Sequence, residues 1–199
     1  MSAFAVAAFH DELLALGASR VGVVVWVRAA GLGEDGGDVS LRVWTPQGAN
    51  VALLREVAPS DCDLLDGAVR VDEQTVEFAA GRWTDGVREY DLAVTLVPRA
   101  DGERVLAARV QVVAGGEIAG RASVAVTWAA DAEPAPANGA AGTGAIVASD
   151  DELPTGRSPQ PRHTVTEAGH AGDPCPGCAE PTAPGDRFCE GCGRALAPA

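Results

Sequence analysis

The sequence predicts a mainly β protein: an antiparallel β-sandwich of the immunoglobulin-like kind, carrying an N-terminal helix, a linker and a small C-terminal module. Three observations lead there. Between residues 21 and 129, β-branched residues recur with period two, at short intervals, between Gly, Pro and Asp turns. From about residue 130 the composition shifts to Ala, Gly, Pro and acids. Near the C-terminus two C-x-x-C pairs lie ten residues apart. The boundaries that follow are residues 1–20 for the helix, 21–129 for the sandwich, 130–172 for a disordered linker and 173–199 for the cysteine module.

Each element has its own signal. Val6, Phe9, Leu13 and Leu16 recur at spacings of three and four, with Ser2 as N-cap and Gly17 as stop, which predicts a helix over 3–17. Val21 to Val27 reads as a short buried strand. Val39, Leu41 and Val43 share one face of the next, and Thr45-Pro46-Gln47-Gly48 turns into Val51 to Val57. Weaker strands follow at 68–71 and 75–78. Tyr90, Leu92, Val94 and Leu96 share a face. Val105 to Val113 and Ile118 to Trp128 are joined by the hairpin signal Gly115-Gly116, with Ile118, Ala122, Val124, Val126 and Trp128 on one side. Trp26, Trp44, Trp83 and Trp128 are large enough to anchor a core. The 40-odd linker residues have too few apolar clusters to offset chain entropy, and their random-coil reach is roughly 35 Å.

Composition narrows the function classes. The chain has 199 residues, 47% hydrophobic, and a net charge of −13. All fifteen positive residues are arginines, so no phosphate-loop, Schiff-base or general-base lysine exists here. The acidic balance argues against nucleic-acid and anionic-membrane partners, which require a basic footprint. No basic segment precedes the apolar start, and the longest later apolar run falls short of the roughly 18–20 residues that span a bilayer. The expected location is cytoplasmic, where clustered cysteines bind metal more readily than they pair as disulfides.

Those cysteines are Cys175, Cys178, Cys189 and Cys192. Each C-x-x-C turn aims two sulfurs at one ion, and two such knuckles supply four thiolates in a closed tetrahedron, with sulfur at about 2.3 Å from zinc. With every position filled by protein, no place is left for water, so the reading is one structural Zn2+ and no catalytic metal. Two disulfides or free thiols are the competing readings. Arg187 and Arg194 lie near enough in sequence to assist the thiolates.

Cys175-Pro176-Gly177-Cys178 and Phe188-Cys189-Glu190-Gly191-Cys192-Gly193-Arg194-Ala195-Leu196 resemble the zinc ribbons of bacterial and archaeal multidomain proteins. The first knuckle departs from that pattern at Ala179, where glycine is usual and positive φ is easy. Slight strain is expected there, with the ligands intact. Leu41–Ala49, Val57–Pro59, Gly81–Tyr90 and Leu106–Val110 are similar to the β-rich region that follows the von Willebrand factor A domain in actinobacterial proteins. That resemblance implies a protein-interaction role. The metal-adhesion signature D-x-S-x-S of the A domain does not occur, so ion-dependent adhesion does not carry over.

Other motifs weigh little. Gly31-Leu32-Gly33-Glu34-Asp35-Gly36 spells a dinucleotide fingerprint, but a strand pattern follows it and its acids would repel a pyrophosphate. Cys62 lies between Asp61 and Asp63, which disfavour its thiolate. His10, His163 and His170 are scattered, and Asp150-Asp151-Glu152 reads as a solvated run. The expectation is a non-catalytic, zinc-binding adaptor or scaffold with protein partners of unknown identity; the alternative is a redox or zinc sensor using the same cysteines.

Overall fold

The computed structural model describes residues 4–33, 36–133, 174–183 and 185–196. Eleven strands form two sheets among them: β1 Phe4–His10, β2 Leu13–Ala15, β3 Arg20–Ala29, β4 Gly37–Trp44, β5 Asn50–Ala58, β6 Cys62–Asp63, β7 Ala68–Arg70, β8 Thr75–Trp83, β9 Gly86–Thr95, β10 Arg104–Ala114 and β11 Glu117–Ala129. One sheet runs β1-β3-β9-β5-β6 and the other β2-β11-β10-β4-β8-β7. Every pairing is antiparallel except that of β2 with β11, which is parallel.

Alternation decides which residues enter the core. Val21, Val23, Val25 and Val27 of β3 are buried, as are Tyr90, Leu92 and Val94 of β9. They face Leu41, Val43, Val110, Val112, Val124 and Val126 from the other sheet within one cluster. Trp83 and Trp128 are fully buried and each satisfies its indole N–H, Trp83 on the Ala80 carbonyl (3.2 Å) and Trp128 on the Ala18 carbonyl (2.9 Å). The β10–β11 hairpin turns at Gly115 (φ 60°) and Gly116 (φ 83°), the left-handed pair that such a two-residue loop requires.

The helix expected over residues 1–20 is absent; β1 and β2 occupy that stretch. The reason is visible in β1 itself. Phe4, Val6, Ala8 and His10 turn inward while Ala5, Ala7 and Phe9 face out, so period two explains the residues as well as period 3.6 does. Alanine filled the intervening positions and left both periods open. β1 pairs with β3 from Phe4 opposite Ala29 to His10 opposite Val23. At Gly120 a Cβ would lie 2.9 Å from Val6, so glycine lets β1 cross close to β11.

Two smaller expectations also change. Ile118 is exposed although Val124, Val126 and Trp128 are buried, because the β10–β11 register shifts between Val112–Gly120 and Val113–Ile118. One extra residue there reverses the inward face. Trp26 sits on the outer face of its sheet at 48% exposure, stacked edge-on with Phe9 (ring centroids 5.2 Å apart), and takes no part in the core. The linker assigned to residues 130–172 lies outside the described residues beyond 133.

Candidate metal centre

The two cysteine knuckles fold alike, offset by fourteen residues. In the first, Ala179 N–H donates to the Cys175 carbonyl (2.8 Å) and Cys175 N–H to the Glu180 carbonyl (2.8 Å). In the second, Gly193 N–H donates to the Cys189 carbonyl (2.9 Å) and Cys189 N–H to the Arg194 carbonyl (2.9 Å). Both turns close through a residue of positive φ, Ala179 at 60° and Gly193 at 72°. Ala179 is the residue for which the sequence implies strain.

The turns bring the four sulfurs together. All lie within 4.8 Å of one another, and Cys175–Cys192 and Cys178–Cys189 are each 3.6 Å apart. A disulfide needs about 2.05 Å. A tetrahedron with metal–sulfur bonds of about 2.3 Å has edges near 3.8 Å, so the set fits a metal ion. Cys175, Cys189 and Cys192 are buried, and Leu196 packs against them.

Protonation explains why a cation belongs there. Burial pushes Cys192 up to about 12 and also raises Cys189. At Cys175 burial acts in the same direction but is outweighed by the N–H groups of Gly177 and Cys178, which bring it to about 7. Four thiolates this close together would repel one another. A divalent cation offsets that repulsion by replacing the protons.

The second knuckle is docked on the sandwich. Leu106 N–H donates to the Gly193 carbonyl (2.7 Å), Ala195 N–H to the Arg104 carbonyl (3.0 Å) and Gln47 N–H to the Gly191 carbonyl (2.9 Å). The Gln74 amide donates to the carbonyls of Gly191 (2.7 Å), Glu190 (3.3 Å) and Thr45 (3.2 Å). Arg109 grips Glu190 with both terminal nitrogens (2.9 and 3.2 Å) and lies over the Trp44 ring. Arg194 pairs with Glu103 across the β-body and also passes over Gly177. None of these partners carried a sequence signal, because most of the bonds use main-chain atoms and Gln74 lies more than 110 residues from its acceptors in the module, Glu190 and Gly191.

The remaining candidates do not converge. Cys62 is exposed, its Sγ 3.5 Å from the Asp63 carbonyl, and Asp61 is held by Arg55, which keeps that carboxyl below its usual range. His10 bonds the Ala125 carbonyl through Nε2 (2.9 Å). The segment after Gly36 is β4, a strand, as the rejection of the dinucleotide fingerprint requires. Glu34, Asp35, Asp150, Asp151, Glu152, His163 and His170 lie outside the described residues. A partly buried ion pair joins the buried Glu56 to Arg88 (3.2 Å), with Arg88 also bonding the Ala80 and Arg82 carbonyls and lying 4.4 Å from the Trp83 ring centroid. It ties β5, β8 and β9 together. A surface groove of about 340 Å³ has as its charged lining Asp38 and the pair Arg42 and Glu77, which bind each other.

Fold and site together define a β-sandwich bearing a docked four-cysteine module able to hold a metal ion. No family model matches the chain, and no curated protein does. Among solved structures the chain is similar to a von Willebrand factor type A protein from Catenulispora acidiphila, with 34% identity over 50% of this chain and a TM-score of 0.47. The match covers 24% of that protein, so the chain spans about a quarter of its length. A cohesin module from a Clostridium perfringens family 33 glycoside hydrolase matches at 9% identity over 65% of this chain and 98% of its own (TM-score 0.45). A chitin-binding domain, ChBD2, from Thermococcus kodakarensis matches at 9% identity over 59% and 94% (TM-score 0.37). No helix among the described residues is long and apolar enough to cross a membrane.

Proposed function

We propose that this chain is a non-catalytic protein-interaction protein, an adaptor or scaffold, whose C-terminal module is a zinc ribbon holding one structural Zn2+ through Cys175, Cys178, Cys189 and Cys192. The observation that carries the reading is the closed sulfur shell, four side chains at tetrahedral spacing with no position for water. Four soft thiolates in that geometry favour zinc or iron, and zinc has no redox chemistry to protect. Burial of three of the four cysteines supports a structural role over a thiol sensor, since oxidants reach exposed thiolates first. The filled sandwich core supports a binding role over an enzymatic one. The likeness to a von Willebrand factor type A protein agrees with the resemblance read from residues 38–129, and a partner from such a system is part of this proposal.

The test has two parts. Metal analysis of the purified chain gives one zinc per chain, and Cys175→Ser with Cys192→Ser abolishes it and renders the tail protease-sensitive. Mild peroxide that ejects the zinc and changes the set of co-purifying proteins would replace this reading with the sensor. Co-purification from the native host, with and without residues 173–199, then identifies the partner and shows whether the module holds it.

A further inference from the structure

The two knuckles are alike in their turns and unlike in what supports them. Each closes through a matched pair of main-chain bonds. In the first these are Ala179 N–H to the Cys175 carbonyl and Cys175 N–H to the Glu180 carbonyl; in the second, Gly193 N–H to the Cys189 carbonyl and Cys189 N–H to the Arg194 carbonyl. Leu106, Gln47, Gln74, Arg109 and Glu103 seat the second knuckle on the sandwich. Among the described residues, none from Pro174 to Glu180 forms a hydrogen bond or ion pair with the sandwich. Their partners lie within the module: Pro174 is bridged to Pro181, Gly177 N–H donates to Cys175 Sγ (3.4 Å), and Gly177 lies under the Arg194 side chain.

Three features add to that difference. The first knuckle closes through Ala179 at φ 60°, a strained conformation for alanine, where the second has Gly193. Of the four clustered cysteines, Cys178 alone is not buried. The space beside its sulfur is left open by Gly191, whose φ does not demand glycine. A Cβ at Gly191 would sit 3.6 Å from Cys178 Sγ and 3.5 Å from the Glu180 side chain, ordinary contact distances that displace nothing. A segment with few anchoring contacts and a strained turn opens before its better-anchored neighbour.

We propose that the metal centre is fixed on one side and exchangeable on the other, with Cys178 as the ligand that exchanges. The inference rests on the metal-centre reading above. Cys189 and Cys192 belong to the half anchored on β10. The undocked knuckle swings out at Cys178 and yields that position to an incoming soft donor of the thiol class. The step balances without redox. The Cys178 sulfur leaves the metal, the incoming thiol's sulfur takes its place, and the thiol's proton passes to Cys178. No electron is transferred, and Cys175, Cys189 and Cys192 keep their positions. The same centre then fastens the tail to the sandwich and passes its ion to thiol ligands from one side.

The experiment uses the full zinc-loaded chain carrying Cys62→Ser, which removes the exposed thiol outside the centre. Amide hydrogen exchange compares the matched bonds, and protection at Cys175 and Ala179 is lower than at Cys189 and Gly193 by at least about tenfold, the worth of one net hydrogen bond. Limited alkylation with iodoacetamide, mapped by mass spectrometry, labels Cys178 ahead of the other three. Glutathione, as the thiol probe, speeds transfer of zinc to a chromogenic chelator. Gly191→Ala sets a methyl beside Cys178 and leaves every ligand in place; it removes most of the glutathione acceleration while protection at Gly193 is unchanged. Ala179→Gly relieves the turn and slows Cys178 labelling about two- to fivefold. Equal protection in the two knuckles, or labelling that begins at any sulfur other than that of Cys178, overturns the proposal. So does zinc transfer that glutathione leaves unchanged, or that Gly191→Ala fails to slow. A chain that holds no metal ends the proposal together with the reading it rests on, and metal analysis run first tells that failure from the others.

Discussion

Ala179 and Gly193 occupy equivalent places in two knuckles, yet exchanging their side chains carries unequal consequences. Both have positive φ, 60° and 72°. A non-glycine residue there costs about 1–2 kcal/mol, and glycine returns about 0.5–1 kcal/mol of that through the freedom of its unfolded chain. Ala179→Gly therefore stabilises the module by about 0.5–1 kcal/mol. Gly193→Ala loses the same increment and also drives a Cβ to 2.6 Å from the Leu106 carbonyl oxygen. The knuckle must lift, breaking the Leu106–Gly193 and Ala195–Arg104 bonds, each worth about 1 kcal/mol net. The total loss is about 3 kcal/mol. Where folding of the module and metal binding are one equilibrium, these energies appear in metal affinity. A competing chelator then needs about two- to fivefold more effort to strip Ala179→Gly and about a hundredfold less for Gly193→Ala. Equal and opposite shifts in the two variants would show that docking contributes nothing, and a destabilised Ala179→Gly would refute the strain argument.

Three further outcomes follow from the sandwich. Glu56→Ala leaves Arg88 without its buried carboxylate and lowers unfolding stability by about 3 kcal/mol in urea titration, whereas a loss under 1 kcal/mol would mean water replaces the pair. Trp128→Ala costs about 3–5 kcal/mol by core loss, while Trp26→Ser, on the outer face, stays within about 1 kcal/mol, both read in the same titration. Asp72 accepts N–H bonds from Gln74 and Thr75, which hold its carboxyl below the usual range. That support is complete above the ordinary aspartate pKa and is lost as pH falls through the lower folded value. Exchange at Gln74 and Thr75 amides, followed from neutral to acid pH and compared with Asp72→Ala, reads it.

The parts of this molecule that sequence makes legible are those where one residue type repeats at one period. Valines at every second position identify β3, the alternation of Val39, Leu41 and Val43 identifies β4, and Gly115-Gly116 marks the β10–β11 turn. The cysteine centre is legible for a different reason: ligand chemistry demands a spacing that few other roles demand. β1 is not legible, since alanine between Phe4, Val6 and Phe9 suits either period until Ala29 to Val23 of β3 supplies the partner. Docking of the second knuckle leaves no trace in the sequence, because carbonyl oxygens and amide hydrogens belong to every residue. Gly193 is the exception. Its glycine is demanded twice, by φ and by the Leu106 carbonyl, whereas the equivalent place in the first knuckle holds Ala179 at positive φ.

The central claim is a closed, protein-only metal shell, and native mass spectrometry of the full chain tests it most directly. The account predicts a mass increment of one zinc ion per chain with all five cysteines reduced, lost as Cys189→Ser opens the shell. Metal-free protein whose mass shows disulfides among Cys175, Cys178, Cys189 and Cys192 would contradict it.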